Sequence, residues 1–280
     1  MKADGEILKR AMAGQPFDHI PVIDFHAHLG SSSGFYHIPR NNPDDVVKYM
    51  DRYGVDHMII FSINVNSDAL ASSRYQYKVA KEFPARFSPL TMLHGKFKDD
   101  WVHDLEDGYG KGSKGIKLIS QYQNIAEESI DWSPAFEYAN DKRWVALHHD
   151  WGQSERLERW AKEFPGITFI AGHSSLAYRK LLEKYDNVYQ CTCACLVPAY
   201  TSFPSAQDLI DNLPSEKILY GSDALDLDLG TGIGPIAFAD APEKLKEYIL
   251  GGNAMKLMNK LGWNTIIPAG EKQNLSNLSK

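Results

Sequence analysis

The segment IPVIDF, residues 20–25, opens a regular series of short apolar runs. Each run is followed by a longer amphipathic segment, which is the pattern of repeated strand–helix units. The eight runs are residues 20–25, 57–63, 87–92, 115–119, 144–148, 167–171, 187–191 and 217–220. The helices predicted between and after them cover residues 44–53, 72–83, 99–109, 133–141, 154–164, 175–185, 205–212, 242–250 and 253–261.

This alternation predicts an α/β fold with an all-parallel sheet, because parallel strands need helical crossovers. Eight units favour a closed (β/α)8 TIM barrel, and an open doubly wound sheet is the alternative. No linker rich in Pro, Gly or Ser divides the 280 residues. We therefore expect one domain over residues 1–265, with a short N-terminal helical extension, and a polar C-terminal tail over residues 266–280.

Composition narrows the classes of function. The chain is 43% hydrophobic and 24% charged, with a net charge of −6, so a nucleic-acid binder with a basic face is disfavoured. No apolar run approaches the roughly 20 residues that a membrane-spanning helix needs. The first residues carry charges throughout and lack the apolar core of a secretory signal, so we expect a cytoplasmic protein whose three cysteines need not pair.

Polar residues cluster where the apolar runs end. His26 and His28 close the first run, His148 the fifth, His173 the sixth and Asp223 the eighth. In a TIM barrel the active site lies at the carboxyl ends of the strands, so these residues are the candidate site.

The spacing of His26 and His28 indicates metal chemistry. Strand side chains alternate with period two, so the two imidazoles share one face. Imidazoles with one carboxylate suit Zn²⁺, and a position left open for water distinguishes a catalytic site from a structural one. A single strand-end histidine is commonly a hydrogen-bonded core residue. Four polar strand ends together favour a metal site, because buried ionisable groups are costly unless paired or metal-bound.

The motifs IDFHAHLG, IAGHSS and ILYGSD resemble those of the amidohydrolase superfamily, in particular its amidohydrolase-related branch of metal-dependent hydrolases and decarboxylases. The resemblance spans residues 20 to about 260. It implies that His26, His28 and His148 hold one divalent cation, most simply Zn²⁺, with Asp223 as a further ligand that also accepts a proton. It further implies that His173 polarises the substrate carbonyl or acts as a general acid.

Two assignments leave alternatives open. His148 and His149 are adjacent and face opposite sides of a regular strand, and we expect His148 to face inward because it follows the run of residues 145–147. The resemblance also places Lys117 where the two-metal members of the superfamily carry a lysine that is carboxylated and bridges both ions. A single ion, with Lys117 unmodified, is the favoured expectation.

Cys191, Cys193 and Cys195 form a C-x-C-x-C pattern on the predicted seventh strand, with all three thiols on one face if the strand stays regular. A thiolate metal site is the alternative, but buried free cysteines usually act as small hydrophobic residues, so packing is the favoured interpretation.

The leading functional hypothesis is a hydrolase in which metal-activated water attacks the carbonyl of an amide, ester or lactone in a small molecule. The alternative is non-oxidative decarboxylation of a small aromatic or unsaturated acid, which basic residues such as Lys117, Arg40 or Arg179 near the pocket would favour. A third hypothesis is a non-enzymatic barrel whose metal, if present, only stabilises the fold or a partner interaction. The expected partner is a small-molecule substrate, without nucleic acid or membrane, and relatives of this kind are commonly homo-oligomers.

Overall fold

The computed structural model describes residues 5–30, 41–62, 68–193 and 203–263, and the statements below concern these residues. Nine parallel strand segments form its centre. They are β1 (Ile23–Leu29), β2 (His57–Ser62), β3 (Phe87–Pro89), β4 (Thr91–Met92), β5 (Gly115–Leu118), β6 (Val145–His148), β7 (Thr168–Ala171), β8 (Val188–Cys191) and β9 (Ile218–Leu219).

Helices connect successive strands and cover the outside of the sheet. They are α1 (Glu6–Ala13), α2 (Pro43–Tyr53), α3 (Ala69–Glu82), α4 (Trp101–Gly110), α5 (Ser133–Lys142), α6 (Ser154–Glu163), α7 (Arg179–Lys184), α8 (Ala206–Asn212), α9 (Leu229–Phe238), α10 (Glu243–Glu247) and α11 (Asn253–Lys260). A π-helical segment, Tyr248–Gly252, joins α10 to α11.

The strands pair in chain order, as β1-β2-β3 and as β4-β5-β6-β7-β8-β9. Leu90 connects the two groups. It is the single residue between β3 and β4, and its amide donates to the carbonyl of Ile60 in β2 (2.9 Å). The first strand meets the last through the Phe25 amide, which donates to the Tyr220 carbonyl (2.8 Å). These bonds bring the two ends of the strand series together.

Two hydrophobic layers show which face of each strand points inward. Val145 and Leu147 of β6 belong to a central cluster with Phe25, Phe61 and other strand residues. Ala146, between them, belongs to the larger cluster that packs strands against helices. Both faces of the sheet are therefore buried, as expected of parallel strands under helical cover.

Local signals begin and end the helices. The Asn42 side chain accepts from the Asp45 amide at the start of α2, and Pro43 occupies the first turn. Gly54 ends α2 with φ of +76°, and a Cβ there would lie 2.4 Å from the Phe17 amide nitrogen. Only glycine fits this position, because both the backbone angle and the close approach exclude a side chain.

The predicted fold class agrees with this architecture, since each of the eight apolar runs contains a strand segment and the third contains both β3 and β4. Helix α9 was not predicted, because its sequence LGTGIGPIAF carries three glycines and an internal proline. The predicted tail over residues 266–280 lies outside the described residues. Within the described ranges, no helix combines the length and apolarity needed to span a membrane.

Candidate metal centre

A bulge in β1 turns both of its histidines toward the barrel interior. Asp24 pairs with Met58 but Ala27 pairs with Ile60, so β1 gains one residue relative to β2. Before the bulge Phe25 faces the central cluster, whereas Ala27 beyond it faces the helices. His26 and His28 consequently lie on the inner face, and both are buried.

Backbone carbonyls orient the two imidazoles. His26 Nδ1 donates to the Gly172 carbonyl (2.9 Å) and His28 Nδ1 donates to the Ser62 carbonyl (3.3 Å). Because a carbonyl oxygen can only accept, each Nδ1 carries a proton, and in the neutral ring each Nε2 then keeps the lone pair. The Nε2 atoms of both histidines are therefore available to coordinate a metal ion.

Both Nε2 atoms converge on Asp223. Its Oδ1 lies 3.3 Å from His26 Nε2 and 3.0 Å from His28 Nε2. Asp223 follows β9 in the left-handed region (φ +65°), and its amide donates to the His26 carbonyl (2.9 Å). Burial raises the pKa of Asp223, but the neighbouring histidines outweigh burial and hold that pKa well below its usual range. The carboxylate of Asp223 is therefore ionised.

Asp24 ties the first strand to the last behind these groups. Its carboxyl accepts from the His26 amide (3.0 Å), from the Ser222 amide (3.1 Å) and from the Ser222 hydroxyl. Burial raises the pKa of Asp24 to about 7, against the opposing effect of these bonds. Asp24 thus fixes the spacing between His26 and the Ser222–Asp223 turn.

Lys117 reaches the same centre from β5. Its side chain is fully buried, with Nζ 3.2 Å from His26 Nε2 and 4.3 Å from the centroid of the Phe61 ring. Burial lowers the pKa of Lys117 to about 8. A lysine here is within reach of a ligand held at the histidines, and its amine is more easily deprotonated than a surface lysine.

His148 faces away from this centre, contrary to the expectation from sequence. Its Nε2 donates to Glu127 Oε2 (2.7 Å) and its Nδ1 accepts from the Asp150 amide (3.1 Å). Its ring packs near Trp151 and Trp132, in the layer between strands and helices. Counting inward positions from Val145 and Leu147 gives His149, because strand side chains alternate with period two.

His149 takes the inward position and pairs with His173. Their ring centroids are 4.0 Å apart, and the His173 centroid is 5.2 Å from that of His26. Burial lowers the pKa of His149 well below its ordinary value and lowers that of His173 to about 4. Both rings are therefore neutral near pH 7. His173 Nδ1 is buried and has no hydrogen-bond partner among the described residues.

A cavity of about 560 Å³ opens beside these two rings. His149 and His173 line it together with Tyr178 and Phe203, and it has room for a small organic molecule. Its carboxylates come from Asp150 and Asp208, and neither lysine nor arginine is among the described lining residues.

The other basic and sulfur-bearing candidates lie in different parts of the structure. Arg179 is exposed on α7, pairs with Glu183 (3.0 Å) and is not among the described residues that line the cavity. Cys191 and Cys193 are buried in the central cluster as free thiols. Arg40 and Cys195 lie outside the described residues.

The donor set fits a divalent cation. One donor atom from each of His26, His173, Cys193 and Asp223 lies within 4.8 Å of the others, and a second such group joins His28 and Asp223 to Asp226. Two imidazole Nε2 atoms and a carboxylate oxygen meet here beside the amine of Lys117, which lies 3.2 Å from His26 Nε2. Such an arrangement is costly in a buried site unless a cation occupies it.

Sequence reasoning missed two residues that shape the site. Glu127 holds His148 from a 3-10 turn 21 positions earlier, and no motif marks that pairing. Asp24 carried a usable signal, since an acidic residue within the apolar run IPVIDF is too costly to bury without partners.

Fold and site together define a parallel α/β barrel protein with a candidate metal centre at the carboxyl ends of its strands. The sequence profile Amidohydro_2, described as amidohydrolase, matches residues 23–259. The chain belongs to this amidohydrolase family, which confirms the resemblance drawn from its motifs. A search of curated proteins gives no match.

Solved structures show the same fold. An uncharacterised TIM-barrel protein from Bordetella bronchiseptica superposes with a TM-score of 0.67 at 14% identity, covering 87% of this chain and all of the other. The 5-carboxyvanillate decarboxylase of Sphingomonas paucimobilis gives 0.61 at 14% identity, covering 86% and 99%. A probable 2-pyrone-4,6-dicarboxylic acid hydrolase from Acinetobacter baumannii gives 0.63 at 13% identity, covering 86% and 100%. These matches confirm the TIM-barrel fold.

Proposed function

We propose that this protein is a metal-dependent hydrolase of small molecules, with one divalent cation held by His26, His28 and Asp223. The observation that carries the proposal is the approach of both Nε2 atoms to one Asp223 oxygen, at 3.3 and 3.0 Å. Two nitrogen donors and one carboxylate favour Zn²⁺.

The surrounding hydrogen bonds support a preorganised centre. The Gly172 and Ser62 carbonyls hold the two imidazoles in the tautomer that a cation needs, as outer-shell partners do in metal enzymes. Lys117 adds a buried amine beside His26. We assign to His149 the inward position on β6 that the sequence pattern gave to His148.

The geometry suggests a separate role for each group in the proposed reaction. A bound divalent cation supplies Lewis-acid activation of water and of the substrate carbonyl. Asp223, ionised and in contact with His28, accepts the proton released by the attacking water. His173 borders the cavity and, as a neutral imidazole, donates a hydrogen bond to the substrate carbonyl oxygen.

The residues that line the cavity indicate which charge a substrate should carry. Its described lining combines aromatic rings with two carboxylates and lacks lysine and arginine, which disfavours polyanionic molecules. An uncharged or amine-bearing amide, ester or lactone fits this lining better than a dicarboxylate.

The cation is tested by elemental analysis of purified protein. We expect about one equivalent of divalent metal, lost in His26→Ala and in His28→Ala. The matched control is His148→Gln, which alters a buried histidine at a strand end without touching the proposed ligands. Retention of a full equivalent by both alanine variants would contradict the ligand assignment.

Decarboxylation is the second candidate, because the buried amine of Lys117 lies 3.2 Å from His26 Nε2, where it would pair with a substrate carboxylate. The two reactions are separated by a panel of small acids, amides, esters and lactones, assayed for CO₂ and for new carboxylate. CO₂ release from an acid supports decarboxylation, whereas new carboxylate without CO₂ supports hydrolysis.

A further inference from the structure

The thiol of Cys193 stands among the donor atoms of the candidate metal centre. Cys193 follows β8 by two residues and is fully buried. Its Sγ forms a group with ligand atoms of His26, His173 and Asp223, all within 4.8 Å of one another. Packing alone, the interpretation favoured from sequence, does not require a thiol at this point.

Cys191 shows what a packing cysteine looks like in the same strand. It is equally buried, but its Sγ lies against Gly221, where an added Cβ would come within 2.2 Å of the sulfur. It is absent from the groups of donor atoms found among the described residues. The two thiols thus have different neighbours although they lie two positions apart.

We propose that Cys193 contributes its sulfur to the cation held by His26 and Asp223, which makes the centre selective for thiophilic metals. This inference rests on the proposed function, because it adds a ligand to that cation site. His173 belongs to the same group of residues, and its buried Nδ1, without a hydrogen-bond partner among the described residues, is a second observation that points to a ligand at this site.

The chemistry of the thiol determines how it would bind a cation and which metals it would favour. A free cysteine thiol carries its proton at neutral pH. A cation that binds the sulfur displaces that proton to solvent, and the thiolate becomes the ligand. Thiolates favour Zn²⁺ and Co²⁺ over Mn²⁺ and Mg²⁺, which prefer oxygen donors.

The test uses full-length protein freed of metal and reloaded with Co²⁺. We expect thiolate-to-cobalt charge-transfer absorption in the near ultraviolet for the wild type. Cys193→Ser should lose this absorption, while Cys191→Ser and Cys195→Ser keep it. In competition with a chelator, Zn²⁺ affinity should fall at least about tenfold in Cys193→Ser, with a smaller loss for Mn²⁺.

A measurement on the unaltered protein covers the case in which Cys193→Ser does not fold. X-ray absorption of the Zn²⁺-loaded wild type should show one sulfur neighbour at about 2.3 Å. Cation binding without sulfur scattering overturns the role of Cys193 and leaves the proposed function standing. Sulfur scattering with a charge-transfer band that follows Cys191 or Cys195 also overturns it. Failure to bind any divalent cation refutes both proposals.

Discussion

Glu127 is the buried residue whose removal tests the structural assignment of His148. Its carboxylate accepts from Ser120 (2.7 Å), Trp132 (2.9 Å) and His148 (2.7 Å), and Arg156 Nη2 lies 3.1 Å away. Glu127→Ala leaves these donors without an acceptor in a site where Glu127 itself is only 4% exposed.

The expected cost follows from that burial. Breaking a buried ion pair by removing one partner costs about 3–5 kcal/mol, because the remaining charge stays desolvated. At about 2–4 °C per kcal/mol for a chain of this size, the Tm should fall by about 6–20 °C. The control is Glu128→Ala, an exposed neighbour expected to change the free energy of unfolding by less than about 0.5 kcal/mol.

Urea unfolding followed by tryptophan fluorescence measures both variants, and elemental analysis measures their metal. Because His148 bonds Glu127 rather than Asp223, Glu127→Ala should lose stability but keep its cation. A destabilisation below about 1 kcal/mol would refute the energetic reasoning. Loss of the cation from folded Glu127→Ala would refute the separation of His148 from the metal centre.

The same residue gives a pH dependence with a definite sign. Burial raises the pKa of Glu127, but its hydrogen bonds, chiefly that from His148, hold the pKa below 4.5 overall. A carboxyl whose pKa falls on folding adds stability that is present above its unfolded pKa and is lost as pH falls through the folded value. The stability difference between wild type and Glu127→Gln should therefore narrow below about pH 4.5.

Three further predictions concern other parts of the barrel. Burial lowers the pKa of His57 to about 4 from 6.5, so the unfolded state binds more protons between these values. Wild-type stability relative to His57→Gln should fall by about 3 kcal/mol between pH 7 and pH 4, and a constant difference would contradict this. His173→Ala should lower kcat by about 10²- to 10³-fold in steady-state assays while the metal content stays unchanged, and undiminished turnover would remove its role as hydrogen-bond donor to the substrate carbonyl. Gly54→Ala should cost more stability in urea titrations than Gly14→Ala, because both have positive φ but only Gly54 lies against another backbone segment. Equal losses would show that the close approach has no energetic effect.

The strand series and the candidate donors could be read from the sequence because each rests on local chemistry. Apolar runs alternating with amphipathic segments predict β/α units wherever they occur, and polar residues at the ends of such runs are conspicuous. His26, His28 and Asp223 were found in this way, and the structure brings them together.

The direction in which individual side chains point was determined by the tertiary structure. Along β6 and the residue on either side of it, Trp144, Ala146 and His148 lie on one face, while Val145, Leu147 and His149 lie on the other. Both faces are apolar because a parallel sheet is buried on both sides, so the pattern does not reveal which histidine points inward. The inner face became known only from the packing of β6 between its neighbours.

The sequence by itself determined which residue types stand at the strand ends, because strand and helix periodicity are properties of the local chain. Only the tertiary structure determined the bulge that turns His26 inward, the pairing of Glu127 with His148 and the position of Cys193 beside Asp223. These features depend on register between segments far apart in sequence, and register is set by the closing of the whole barrel rather than by any one strand.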